Sequence, residues 1–185
     1  NLAEAGIQVH VFIIVGIPGE RMTDTLKWLP FIERYGEHIV TIKSARYQLT
    51  RMSPEERSGA REDLIEVLPD TAPLRLNRNF LYRDEHGHGS LKGLKNVTAV
   101  RTLIDESCRR QWGYAVTSTL PWNANRGRYT IVELKEMARK LPMEPETPHL
   151  KQSVKKVAGI VRAELSVDVQ FGSFDDVVEF FRDRT

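Results

Sequence analysis

The sequence predicts an α/β chain in which a parallel βαβ unit comes first and a mixed α+β extension follows. Three observations carry this expectation. Residues 7 to 15 are an almost unbroken apolar, β-branched run, the signature of a strand covered on both faces in a parallel sheet. Residues 22 to 36 then take helical spacing, and residues 39 to 49 return to strand character. Strand, helix and strand in that order describe a crossover connection, which is right-handed where the two strands share a sheet.

Composition sets the outer limits. A chain of 185 residues can bury one core, and 41% apolar with 28% charged residues describes a folded globule, not a disordered segment. No apolar run approaches the ~20 residues that cross a bilayer, so no membrane partner is expected. The net charge of +2 argues against nucleic acid, whose binding rests on a large electrostatic term. A single cysteine, Cys108, excludes an intrachain disulfide and any multi-cysteine metal site built from this chain alone, and it suits a reducing, cytoplasmic setting.

The elements follow in order. Residues 1 to 6 read as the last turn of a helix, with Gly6 as a left-handed C-cap, so more chain is expected ahead of them. The first strand breaks at Gly16-Ile17-Pro18-Gly19-Glu20, which places this turn at the carboxyl edge of the sheet, where α/β enzymes hold ligands. Two glycines let a backbone approach a ligand closely, and proline fixes the turn between them. A purely structural strand-to-helix turn would look the same.

In the following helix Thr23 and Asp24 suit the N-cap or first turn, and Leu26, Leu29, Phe31, Ile32 and Tyr35 form the apolar stripe. Pro30 should kink that helix, and Gly36 should close it. In the second strand Lys43, Arg46 and Gln48 are candidates for contact with a carboxylate, or else they face solvent.

Beyond residue 50 a short helix is expected from Ser53-Pro54-Glu55-Glu56, then strand-like runs at 64 to 68 and 74 to 82 around a turn at 69 to 73. Residues 84 to 93 read as a mobile loop. A helix over 97 to 112 presents Val100, Leu103, Ile104 and Cys108 on one side. Residues 117 to 125, with Trp122, form a linker, and Thr130 with Glu133 makes a capping box for another helix. A hinge at 142 to 146 leads to a helix opened by Thr147-Pro148, an alternating strand-like stretch at 166 to 171, and a last helix capped by Ser173 with Val177, Val178, Phe180 and Phe181 inward. The segments 1–55, 56–142 and 143–185 are the expected units.

Three further patterns carry possible chemistry. His86-Gly87-His88 has the spacing of a metal pair, but no third ligand is identifiable and a solvated loop explains it more simply. Cys108 on an apolar helix face reads as a small core residue. The arginines and aromatics of residues 74 to 83 could grip a nucleotide or form an amphipathic edge strand. The spacing of Gly16 and Gly19 does not match the dinucleotide fingerprint, which needs a glycine two positions earlier.

The order Ala-Gly-Ile, apolar strand, Gly-Ile-Pro-Gly-Glu, Thr-Asp, helix, then a strand ending Gln-Leu-Thr-Arg-Met-Ser-Pro resembles the second half of a radical SAM enzyme core over residues 1 to 55. The resemblance implies that residues 1 to 55 are the terminal βαβ portion of a partial (β/α) barrel. It also implies that Val15, Gly16, Ile17, Pro18 and Gly19 line the adenosyl end of S-adenosylmethionine, while Glu20 anchors the turn or the next helix. The family has a threonine directly after that glutamate, whereas Arg21 stands here.

The family's Cys-x-x-x-Cys-x-x-Cys, which holds a 4Fe-4S cluster, is absent, so the chain alone should be inactive. The ligands would come from a missing N-terminal part of the same polypeptide. The intact parent would cleave S-adenosylmethionine reductively for radical or methyl-transfer chemistry on a small-molecule or peptide substrate. The Ser53-Pro54 element is similar to that of the cobalamin-binding subgroup, so cobalamin is a candidate second cofactor. The alternative is a non-catalytic α/β interaction module whose Gly-Ile-Pro-Gly turn is structural.

Overall fold

The computed structural model describes residues 5, 7, 9–50, 66–67, 79–80, 82–88, 91–112, 133, 136, 140 and 146–184. The expected βαβ unit is present. Strand β1 (Val9–Val15) pairs in parallel with β2 (Ile39–Arg46), and helices α1 (Met22–Leu26) and α2 (Trp28–Tyr35) cross between them. A 3₁₀ turn, Gly36–His38, feeds β2. A closed or partial barrel is not seen; the described residues form a two-stranded parallel sheet with helices on one side.

The single kinked helix expected over 22 to 36 is two helices, and the break lies at Lys27. The cause is still Pro30. Its ring crowds the carbonyl four residues back, at Leu26, and it offers that carbonyl no N–H, so the first helix ends there. Pro30 itself falls in the first turn of α2, where a missing donor costs nothing. Gly36 stays right-handed; its backbone is pressed against Gln111, whose Cγ would lie 2.7 Å from an added β-carbon, and Trp112 Nε1 donates to its carbonyl.

Contrary to the expectation of two covered faces, β1 is covered on one. Ile13 and Val15 are buried under the helices, whereas Phe12 and Ile14 on the opposite face are 60% and 40% exposed. His10, Phe12 and Ile14 share that open face with Thr41, Lys43 and Ala45, their register partners on β2, and His10 Nδ1 lies 3.0 Å from Thr41 Oγ1.

The extension contributes small antiparallel pairs and three long-range helices. β3 (Leu49–Thr50) pairs with β5 (Asn79–Phe80), and β4 (Glu66–Val67) with β6 (Tyr82–Arg83). Helix α3 (Leu91–Trp112) begins six residues earlier than its apolar spacing suggested and packs on α1, α2 and both long strands. α4 (Leu150–Leu165) lies along α3, and α5 (Phe174–Arg182) closes over α2 and α4. One apolar cluster joins these parts, from Ile13 and Ile42 through Leu103 and Cys108 to Val157 and Phe181.

Two local expectations change in instructive ways. α4 starts at Leu150, two residues after Pro148, with His149 in a left-handed conformation before it, and the N–H and hydroxyl of Thr147 donate to Glu106 of α3. Residues 166 to 171 alternate in exposure as foreseen, with Val167, Val169 and Phe171 against the core, yet they pair with no strand among the described residues. The last helix is as expected: the Ser173 hydroxyl accepts from Asp176 N–H, and the Asp176 carboxylate accepts from Ser173 N–H. Gly6, the helices expected at 53 and 130, the linker with Trp122 and most of the 142 to 146 hinge lie outside the described residues. No described helix is long and apolar enough to cross a membrane.

Candidate functional site

The carboxyl end of β1 turns sharply, and its residues explain the turn. Glu20 N–H donates to the Ile17 carbonyl at 3.0 Å, closing a four-residue turn with Pro18 second and Gly19 third, and Gly19 has φ +82°. Proline then a positive-φ glycine is the pattern of a type II turn. Gly16, at φ +83°, makes the exit from the strand, and the Val15 carbonyl accepts from Tyr47 N–H at the end of β2.

The five residues inferred to line a ligand are therefore contiguous, but unequal. Val15, Gly16 and Pro18 are buried, Ile17 is half-buried, and Gly19 is exposed. An added β-carbon at Gly16 would lie 2.8 Å from Val97 Cγ2 of α3, so the missing side chain leaves room for the core. At Gly19 the same atom would meet nothing closer than Glu85 Oε1 at 3.9 Å. Gly19 and the half-buried Ile17 are where this turn can meet a ligand.

Two carboxylates from distant segments hold the turn. Asp84 Oδ2 accepts from Gly19 N–H at 3.1 Å, and Asp84 Oδ1 accepts from His88 N–H at 2.7 Å. The Asp84 side chain is fully buried, and His88 Nδ1 sits 2.9 Å from Asp84 Oδ2 without the alignment of a hydrogen bond. Burial holds the His88 imidazole below its usual pKa against the opposing pull of Asp84. Gly93 of α3 makes this packing possible: a β-carbon there would lie 2.0 Å from the Gly87 carbonyl oxygen.

The second carboxylate is Glu164 near the end of α4. Its Oε1 accepts from Met22 N–H, and its Oε2 accepts from both the N–H and the hydroxyl of Thr23. Arg21 precedes α1 without offering a side-chain cap, so Glu164 satisfies the orphan donors and favours the positive end of the helix dipole. Glu20 anchors the turn as expected: its Oε1 accepts from the Thr25 hydroxyl at 3.2 Å. Burial raises the Glu20 pKa, with Asp24 nearby adding to the effect, and its Oε2 is buried without a hydrogen-bond partner among the described residues.

The remaining candidates separate. Lys43 lies on the open face of the sheet and Arg46 three residues on, so the two-residue strand period turns them to opposite faces; Gln48 is exposed beyond the strand. They do not form one wall. The polar contacts on the helix side come instead from Ser44, whose hydroxyl meets Asp105 and Arg101 of α3. The stretch expected as a mobile loop is, over 84 to 88, a turn with Asp84 and His88 buried. No group of three metal-ligating residues occurs among the described residues. Cys108 is fully buried, and burial pushes its thiol well above the ordinary range, so it is an unreactive core residue.

The sequence reading missed Asp84 and Glu164, because neither sits in a motif and each acts across more than sixty residues of chain, 65 and 141 respectively. Comparison with protein-family models, curated proteins and solved structures returned no match.

Proposed function

We propose that this chain supplies one wall of an S-adenosylmethionine site in a radical SAM enzyme, through the main chain of the turn at residues 15 to 19. The observation that carries the reading is a parallel βαβ unit whose first strand ends, at its carboxyl edge, in a turn with two positive-φ glycines and an open surface at Gly19. The uncovered sheet face bearing His10, Phe12, Ile14 and Lys43 is consistent with a barrel wall whose helices cover only the outer side.

The donor set does not fit an iron–sulfur cluster. The one thiol, Cys108, is buried and held protonated, so a 4Fe-4S cluster would need ligands from outside this sequence. The missing N-terminal part of the same polypeptide remains the proposed source, in a cytoplasmic, reducing setting. No residue of this chain is assigned to cobalamin. Within the chain, the work of the turn is binding and orientation: Pro18 and Gly19 fix the main chain, and Asp84 and Glu164 hold it in place.

One observation favours the alternative, a non-catalytic α/β interaction module. Val97 accounts for the glycine at 16 and the type II turn accounts for the glycine at 19, which gives the motif a structural explanation without a ligand. A titration separates the two. S-adenosylmethionine added at millimolar concentration to isotopically labelled chain should shift the amide resonances of Ile17 and Gly19. Shifts confined to other regions reject the cofactor reading and leave the module.

A further inference from the structure

Helices α3 and α4 pack against each other, and between the first half of each runs a groove of about 490 Å³, a volume in the range of small-molecule sites. None of Val15 to Gly19 lines it, so it is separate from the turn described above.

Its two walls differ in chemistry. On α3 it meets Leu94, Ala99 and two threonines whose hydroxyls are spent on their own helix. Thr98 Oγ1 donates to the Leu94 carbonyl at 2.8 Å, and Thr102 Oγ1 donates to the Thr98 carbonyl at 3.0 Å. The methyl groups are what these threonines have left to offer, so this wall is apolar. On α4 the groove meets Gln152, Ser153 and Lys156.

Ser153 is the residue that packing does not account for. It is only 6% exposed, yet its hydroxyl makes no hydrogen bond among the described residues, where Thr98 and Thr102 each bond the carbonyl four residues back. A buried hydroxyl left unbonded is costly, and this one lines open space. The helix that carries it begins without a side-chain cap, and the N–H groups of Lys151 and Gln152 meet no acceptor among the described residues. Unspent donors at a helix start beside a buried free hydroxyl suit an oxyanion.

The charge facing the groove is of one sign. Lys95 and Lys156 line it and make no ion pair among the described residues, and no carboxylate lines it. Residues 91 to 104 and 147 to 163 contain no Asp or Glu. The acids beyond those stretches lie elsewhere: Asp105 bonds Ser44 of β2, Glu106 is ion-paired with Arg109 and Arg110, and the exposed Glu146 precedes α4 without lining the groove. Glu164 stands eleven residues past Ser153, about 16 Å along the helix. With Asp84 and Glu85 it lines a different cleft, which shares only Lys156 with this groove.

We propose that this groove binds a small amphiphilic anion, its carboxylate or phosphate head held by the Ser153 hydroxyl, Lys95 and Lys156 and its apolar body laid along Leu94, Ala99 and the threonine methyls. Two like charges facing one space with no counter-charge favour an anion between them, and the apolar wall selects one that carries a hydrocarbon body.

The test is titration of isotopically labelled chain with hexanoate, with hexyl phosphate and with hexan-1-ol, three probes that share a body and differ in head group. At least one anion should bind saturably and shift the amides of Gln152 and Ser153, and comparison of the two tells a carboxylate ligand from a phosphate one. Hexan-1-ol should bind at least about tenfold more weakly, for want of a charged acceptor. Ser153→Ala should weaken the preferred anion about tenfold while the thermal midpoint holds, since the hydroxyl bonds nothing in the free chain. Lys95→Gln and Lys156→Gln should each weaken it about threefold, whereas Lys151→Gln, exposed on α4 outside the groove, should leave it unchanged. The proposal is overturned if neither anion saturates at millimolar concentration, or if hexan-1-ol binds as tightly as the anions. It is equally overturned if Ser153→Ala binds as before, or if Lys151→Gln weakens binding as much as Lys156→Gln.

Discussion

Gly16→Ala probes why the turn contains its first glycine. The added β-carbon would lie 2.8 Å from Val97 Cγ2, whereas unstrained carbon contacts are about 3.5–4.0 Å, so Val97 or the turn must move by nearly 1 Å. Overpacking of this kind costs about 1–3 kcal/mol. The backbone adds its own penalty of about 1–2 kcal/mol, because alanine at φ +83° is strained whatever space it has. Reduced freedom of the unfolded chain returns about 0.4–1 kcal/mol. The net expectation is a loss of about 1–5 kcal/mol.

The two costs are separable. In the Gly16→Ala/Val97→Ala double variant the clashing methyl is gone and the backbone strain remains, so the double variant should be more stable than additivity predicts by about 1–2 kcal/mol. Urea denaturation followed by circular dichroism, on the parent, both single variants and the double, measures this coupling. Additivity within about 0.5 kcal/mol would refute the packing argument. Gly16 would then have room for a β-carbon, and close approach of a ligand would again be the better reason for the glycine.

Two other predictions rest on buried carboxylates. Glu106 is fully buried; burial alone would raise its pKa, but hydrogen bonds from Arg109, Arg110 and Thr147 outweigh this and hold it at about 2 against an ordinary 4.5. A depressed carboxylate stabilises the fold above its unfolded pKa, so this contribution, about 3 kcal/mol, should be present above pH 4.5 and lost as pH falls towards 2. Glu106→Gln should cost about 3–5 kcal/mol at pH 7, by leaving Arg109 without its charge partner, and should lose the acid dependence; equal parent and variant slopes over that range in urea titrations would contradict it. Glu164→Ala should cost about 1–2 kcal/mol through lost capping of α1 and speed hydrogen exchange at Met22 and Thr23; unchanged exchange at those amides would show that Glu164 does not hold them.

The parts of the fold legible in the sequence are those whose cause is local. The β-branched run before Gly16 and its counterpart from Ile39 marked the two parallel strands. Pro18-Gly19 marked the turn, and Ser173 with Asp176 marked the last helix through chemistry confined to four residues. The apolar positions of α3 were read correctly because each turn of a helix repeats its facing. Where local signals competed, the reading fell short. Pro30 was recognised as crowding the preceding turn, but it divides the segment into two helices where a kink in one was expected, and the 84 to 93 stretch looked mobile although Gly93 there serves close packing.

The sequence by itself determined a strand, a glycine turn, a crossover helix and a parallel return strand, because backbone preference and apolar periodicity suffice for these. Only the tertiary structure decided what the turn is held by and what it leaves open. Val97 fills the place beside Gly16, Asp84 takes the amide of Gly19, and Glu164 caps the helix that follows. These are contacts between residues far apart in the chain. Periodicity reports which side of an element is buried, and it is silent on which distant group meets it there.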